Sequence, residues 1–133
     1  MKSDPSSIDE RLSGTLATVL GMHIVEAGPE RVVAELAIRD DLRTVGGALH
    51  GGTLMAMADT VGALATVLNL PPGATTTTLE SKTNFLAAGR AGLVRAEATP
   101  LHRGKRTMVW QTRVTDEAGR LLSQTIQTQL VLP

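Results

Sequence analysis

The segment Gly51–Asn69, GGTLMAMADTVGALATVLN, constrains the chain more than any other. Ala, Leu and Met are good helix formers, and Pro71-Pro72-Gly73 closes the run. Apolar residues occupy every face rather than one stripe, so the helix is expected to be buried all round. One charged residue, Asp59, interrupts it, which argues against a membrane span. A buried charge without a partner is costly, so Asp59 must be hydrogen-bonded, protonated or set in a wet cleft. Two readings follow: a structural aspartate tied to the backbone or to Thr60, or a catalytic carboxylate facing a pocket.

A helix of this kind needs an apolar wall, and the rest of the chain can supply one. Residues 31–39 alternate, with Val32, Ala34, Leu36 and Ile38 on one side and Val33, Glu35, Ala37 and Arg39 on the other, the pattern of a half-buried strand. Four further strand-like runs follow the helix: 75–87, 92–101, 106–115 and 121–132, with Asp116–Gly119 as a hairpin turn. Short connections make consecutive strands antiparallel neighbours. Ahead of them, Ser7-Ile8-Asp9-Glu10 fits a capping box opening a short helix to Leu20, with Leu12, Leu16 and Leu20 on one face and Gly21 as its stop. Residues 1–6 read as a flexible terminus. The expected fold is α+β: one antiparallel sheet wrapped around a single long central helix. At 133 residues the chain makes one domain, 1–133, able to bury roughly two-thirds of its unfolded surface.

Composition removes several classes of function. With no cysteine, neither a disulfide framework nor a thiolate metal site is possible, and no His, Asp and Glu spacing suggests metal ligands. Residues 1–10 lack the basic start and apolar stretch of a signal peptide, so a cytoplasmic, non-membrane protein is expected. Lys plus Arg equal Asp plus Glu at 13 each, with one Trp, one Phe and no Tyr. Nucleic-acid binding usually leaves a basic footprint or aromatic stacking platforms, and this chain has neither.

His50-Gly51-Gly52 opens the long helix. A helix start offers unpaired N–H groups at the positive end of the dipole, and glycine lets a ligand oxygen approach the backbone closely. Such a site could polarise a carbonyl, or it could be a plain loop-to-helix turn. Gly51 and Asp59 are eight residues apart, about 12 Å of helical rise, too far for both to act on one carbonyl within one chain. If both act on one bond they come from two chains, with two such helices antiparallel across a two-fold axis and the sites at the interface. The most basic stretch, His102-Arg103-Gly104-Lys105-Arg106 with Arg90 nearby, could hold nucleotide phosphates or be a solvated loop. His23 reads as structural or superficial.

The stretch GALHGGTLMAMADT at 47–60 resembles the signature of the hotdog-fold acyl-CoA thioesterases, in the branch of phenylacetyl-CoA, hydroxybenzoyl-CoA and dihydroxynaphthoyl-CoA thioesterases. The resemblance continues through KTNFLAAGRAG (82–92), PLHRGKR (100–106), VWQTRVTDEAGRL (109–121) and QTIQTQLVL (124–132). It implies that the Gly51 N–H polarises the thioester carbonyl and that Asp59 attacks it or activates water. It also implies that His50 shapes the site and that residues 102–106 meet the CoA nucleotide. Two positions depart from the family. Thr44 stands where an Asn or Gln is usual, and Ala63 stands where relatives with Glu often carry Ser or Thr; Thr77 or Thr78 would then supply the hydroxyl.

The reading that results is an acyl-CoA thioesterase, favouring aryl or arylacetyl groups. The catalytic set is Asp59, Gly51, His50 and Thr77 or Thr78, with Gly52, Thr44, Arg90 and His102–Arg106 around the substrate. Leu54, Met55 and Val61 are expected in the apolar pocket. A homodimer or dimer of dimers is expected, with CoA entering as part of the substrate and no separate cofactor. A non-catalytic acyl-CoA-binding protein and an enoyl-CoA hydratase or dehydratase are the alternatives.

Overall fold

The computed structural model describes residues 2–133. Its long helix, α3 (Gly51–Val67), lies across one six-stranded antiparallel sheet. The strands are β1 (His23–Gly28), β2 (Arg31–Ala37), β3 (Thr75–Phe85), β4 (Leu93–Arg103), β5 (Thr107–Thr115) and β6 (Leu121–Leu132). Their spatial order is β1-β2-β4-β5-β6-β3. This is the hotdog arrangement, and among the described residues no helix is long and apolar enough to cross a membrane.

The sheet face under α3 follows the period-2 rule. Val32, Ala34 and Leu36 of β2 face Ala98, Ala96 and Val94 of β4 in register, and all six are buried. Met108, Trp110 and Val114 of β5 extend this wall. From α3, Leu54, Met57, Ala58, Val61 and Ala65 pack down onto it. The three alanines, Ala34, Ala96 and Ala98, leave room for the helix backbone to approach closely.

The expected all-round burial of α3 is corrected by the structure. Met55, Asp59 and Val67 are exposed along one stripe, with Ala56, Thr60 and Ala63 half-covered beside them. Helical spacing places 55, 59, 63 and 67 on one line, away from the face of α3 that packs on β2, β4 and β5. An apolar stripe left open on the central helix is a surface a second chain can cover.

The strand order departs from simple neighbour-to-neighbour pairing. β3 pairs with β6 at the far edge rather than with β4. Residues 86–92 carry the chain back across, held by Leu49 N–H to the Gly89 carbonyl at 2.7 Å and Ile38 N–H to the Gly92 carbonyl at 2.9 Å.

The first strand, β1, was not legible as one. A bulge between Ile24 and Glu26 breaks the alternation that identifies strands, so that Ala27 and Gly28 are both buried. The expected single helix over 7–20 is two: α1 (Pro5–Arg11) and α2 (Leu16–Leu20). The capping box does not form, because Pro5 sets an earlier start and Asp4 caps it through the Ser6 N–H. Gly21 closes α2 in the left-handed conformation as expected. The expected loose terminus is partly anchored: Ser3 bridges to Ala27, and Lys2 pairs with Glu26 at 3.2 Å, holding that carboxyl below its usual range. Met1 lies outside the described residues.

Candidate active site

Asp59 stands in the middle of α3 on the stripe turned away from the core, with its carboxylate anchored by the sheet edge. Thr78 Oγ1 of β3 donates to Asp59 Oδ1 at 2.7 Å, and Gln127 Nε2 of β6 donates to the same oxygen at 3.3 Å. Behind them, Gln129 Nε2 donates to Thr78 Oγ1 at 2.7 Å, and Thr76 Oγ1 shares its proton between Gln129 Oε1 at 3.0 Å and the Leu130 carbonyl at 2.9 Å. A hydroxyl has one proton. Because Gln129 occupies an acceptor position on Thr78, the Thr78 proton is committed to Asp59. Both bonds converge on Oδ1, and among the described residues Oδ2 receives none.

This geometry separates the two candidate threonines. Adjacent residues of a strand face opposite ways. Thr78 turns to Asp59, and Thr77 makes no side-chain hydrogen bond among the described residues. Asp59 is not tied to Thr60, whose hydroxyl donates to the Ala56 carbonyl at 2.8 Å. Gln127 and Gln129, both fully buried, are the members of the site that sequence reasoning missed. In β6 the apolar alternation falls on Ile126, Leu130 and Leu132, which suggests that these face inward. The structure instead buries Ser123, Thr125, Gln127 and Gln129. Thr125 and Gln129 find partners on β3, where Thr83 and Thr125 share a hydroxyl bond at 2.7 Å, while Gln127 reaches Asp59 and Ser123 Oγ has no partner among the described residues.

The start of α3 is built by His50. Its side-chain Nδ1 accepts the Gly52 N–H at 2.7 Å and so caps the helix. The ring proton therefore sits on Nε2, and the Gly52 amide, expected to face substrate, is already engaged. The Gly51 N–H has no acceptor among the described residues, at the positive end of the helix dipole. Phe85, at the end of β3, closes one side of this amide. A Cβ at position 51 would lie 3.0 and 3.1 Å from its ring carbons Cε1 and Cζ.

Asp59 and the helix start open into different grooves. One, about 380 Å³, is lined by Ile8, Arg11, Leu12, Asp59, Ala63, Leu64 and Val67 among others. The second, about 290 Å³, holds His50 and Gly52 with Leu16, Leu20 and Ala56. Of the residues expected in the apolar pocket, Leu54 and Val61 are instead in the core against the sheet and only Met55 is exposed. Positions 54 and 61 are a heptad apart and share the buried face, whereas the groove uses the opposite stripe and α1.

The basic residues do different jobs. Arg103 is held by Glu30 at 3.0 Å and reaches the Pro29 carbonyl at 3.2 Å. Lys105 and Arg106 are exposed at the tip of the β4–β5 hairpin and make no ion pair among the described residues. His102 is exposed and lies against Gly104. A cleft of about 690 Å³ beside this hairpin is lined by Asn69, Leu70, Pro71, Arg103, Gly104, Lys105, Met108 and Val131. Arg90 lies elsewhere, donating to the Gly46 carbonyl at 3.1 Å. With Arg43, which donates to the Gly47 carbonyl at 2.7 Å, it braces the exposed loop that carries Thr44. Gly47 turns that loop at φ 85°.

Comparison with known proteins matches residues 46–123 to the family model of the thioesterase superfamily. A 1,4-dihydroxy-2-naphthoyl-CoA hydrolase of Listeria monocytogenes is 33% identical over 107 residues, 80% of this chain and 87% of that protein. The crystal structure of a thioesterase from Haemophilus influenzae superposes with a TM-score of 0.94 at 30% identity, covering 99% of this chain and 92% of its own. A Staphylococcus aureus thioesterase has a TM-score of 0.86 at 26% identity, covering 89% of this chain and 98% of its own. That protein has been solved as a glutamine-to-alanine and as a glutamate-to-alanine variant, at positions fifteen residues apart in its sequence.

Proposed function

The chain belongs to the thioesterase superfamily and is a thioester hydrolase, and from the geometry around Asp59 we propose how it cleaves an acyl-CoA. The single observation that carries this reading is the anchored carboxylate. Oδ1 is fixed by Thr78 and Gln127, which leaves Oδ2 directed to react. A carboxylate held by donors on one oxygen is oriented without being blocked. The fifteen-residue spacing of the two mutated positions in the S. aureus thioesterase is also the spacing of Thr44 and Asp59.

In the proposed site the thioester carbonyl oxygen accepts the Gly51 N–H. That donor strengthens as negative charge builds on the oxygen in the tetrahedral intermediate. His50 keeps the Gly52 amide out of the way and fixes the helix start. Asp59 Oδ2 either attacks the carbonyl carbon, forming an anhydride that water then opens, or takes a proton from the attacking water. In both routes the carbon–sulfur bond breaks; CoA leaves as the thiolate and takes up the proton released when water opens the anhydride, or, in the second route, the proton that Asp59 took from water. Single turnover in ¹⁸O water separates the routes, since only the anhydride path can leave label in Asp59.

His50 and Gly52, which flank Gly51, line one groove and Asp59 another, which supports a site shared between two chains. Antiparallel packing of the exposed α3 stripes brings the helix start of one protomer to Asp59 of the other. The groove of about 380 Å³ is then the acyl pocket, at the small end of the usual ligand range and apolar apart from Arg11, Thr60 and Asp59 itself. Its size and lining, with the hydrolase named in L. monocytogenes, support an aryl or arylacetyl group. The Lys105 and Arg106 hairpin serves the CoA phosphates.

The test is thiol release from a panel of phenylacetyl, benzoyl, hydroxybenzoyl, hydroxynaphthoyl, short-chain and medium-chain CoA esters, with Asp59→Asn beside the parent. Turnover that is best on an aryl ester and collapses in the variant is expected. Equal turnover by both proteins would sink the assignment of Asp59. Tight ester binding with no thiol released would favour a binding protein. Loss of an enoyl ester's conjugated absorbance would favour a hydratase.

A further inference from the structure

We propose that Gln127 is a positioning residue for Asp59 and that Gly62 is glycine to admit it; the inference rests on the hydrolase reading and adds an element to it. Gln127 is fully buried in the inner face of β6, where packing alone would favour a Met or Leu of similar volume. Its Nε2 reaches the Asp59 carboxylate at 3.3 Å, while its Oε1 has no partner among the described residues. Trp110, its cross-strand partner on β5, likewise has a buried and unpartnered Nε1. A half-satisfied buried amide works against stability. It is retained here where its other half holds the reacting carboxylate.

The second observation comes from the helix. Gly62 lies three residues after Asp59 on α3 and is fully enclosed. A Cβ at position 62 would lie 2.3 Å from Gln127 Oε1, 2.4 Å from Cδ and 2.8 Å from Nε2. These approaches are too close for any side chain, so the amide lies across the helix only because residue 62 has none. Glycine in a helix interior is otherwise unfavourable relative to alanine. Gly62 and Gln127 therefore form one device, in which a gap in α3 seats a sheet amide against the carboxylate one turn earlier.

With Thr78, Gln127 brings two donors to Oδ1 from neighbouring strands, a more rigid hold than either gives alone. Thr44, on its exposed loop, makes no side-chain hydrogen bond among the described residues. The chain's own orienting amide for Asp59 is thus on β6.

The experiment measures kcat and KM for Gln127→Met, Gln127→Ala, Gly62→Ala and the Gly62→Ala/Gln127→Ala double variant, with melting temperatures. Expected are a fall in kcat of about tenfold or more in each single variant, with KM within about twofold. The Gly62 change should cost nothing further once Gln127 is shortened to alanine. Lower melting temperatures with kcat unchanged would reduce the pair to packing and overturn the proposal. Additive losses in the double variant would separate Gly62 from Gln127 and overturn the device. A crystal structure of Gln127→Met supplies a readout independent of turnover. A rotated Asp59 carboxylate supports the proposal, and an unmoved one refutes it. If Asp59→Asn retains full turnover, the hydrolase reading fails separately and this structural readout still decides the positioning claim.

Discussion

Gly51 is the first residue of α3, and that position permits an unusually clean removal of one backbone N–H. Proline is favoured at a first helical position because the amide it lacks has no intrahelical partner. The residue before a proline must be extended, and His50 already is, at φ −61° and ψ 135°. Gly51→Pro therefore deletes the donor proposed for the thioester oxygen while leaving the helix its geometry and its His50 cap. Gly51→Ala is the control, since it keeps the N–H and meets the same Phe85 ring at 3.0 and 3.1 Å. Loss of one oxyanion donor costs about 2.7–4 kcal/mol in the transition state, roughly a 100- to 1,000-fold loss in kcat. Steady-state thiol release on the best ester reads this. Gly51→Pro should fall by that factor, and Gly51→Ala should fall far less, by what a displaced phenyl ring costs. Equal losses in the two variants would assign the effect to Phe85 crowding and refute the amide's role.

Three further outcomes follow from the same geometry. Thr78→Val removes the 2.7 Å bond to Asp59 and orphans the Gln129 amide; it should lower both turnover and stability, the latter by about 1–3 kcal/mol in denaturant melts. Thr77→Val should change neither by much, and the reverse ranking would place the wrong threonine at the site. His50→Ala loses the helix cap and should destabilise the fold by about 1 kcal/mol, whereas His50→Asn, a good cap residue, should restore the melting temperature. Failure of Asn to restore it would mean that the imidazole does more than cap the helix.

How far this was legible in the sequence depends on where the information lay. The central helix, its start and its single acid are all local, in one run from His50 to Val67, and they were read correctly as elements. The alternating strands β2, β4 and β5 could likewise be read, since their inward residues are apolar with the exception of Thr112. The pattern failed where polar groups are buried with partners distant in sequence. The inward face of β6 carries Ser123, Thr125, Gln127 and Gln129, and hydropathy assigns such residues to solvent. Thr125 and Gln129 are satisfied by Thr83 and Thr78 of β3 and the Gln127 Nε2 by Asp59 of α3, partners that no local pattern reveals. β1 was lost to its bulge. The exposed stripe of α3 was not legible because a helix apolar on every face does not show which face its sheet leaves open. The choice of Thr78 over Thr77 turned on which face of β3 meets the helix, which the run of four threonines conceals.

In the proposed mechanism a carboxylate from one chain works opposite the helix start of another. Mixed dimers of Asp59→Asn and Gly51→Pro test it most directly. Each parent variant should be nearly inactive alone. If the site is shared, a mixed dimer has one site with both wild-type groups and one with neither. Random equal mixing should then restore about a quarter of wild-type turnover, because half the dimers are mixed and each has one of two sites intact. Confirmed mixed dimers with no recovery of thiol release would place Gly51 and Asp59 in separate roles and contradict the shared site.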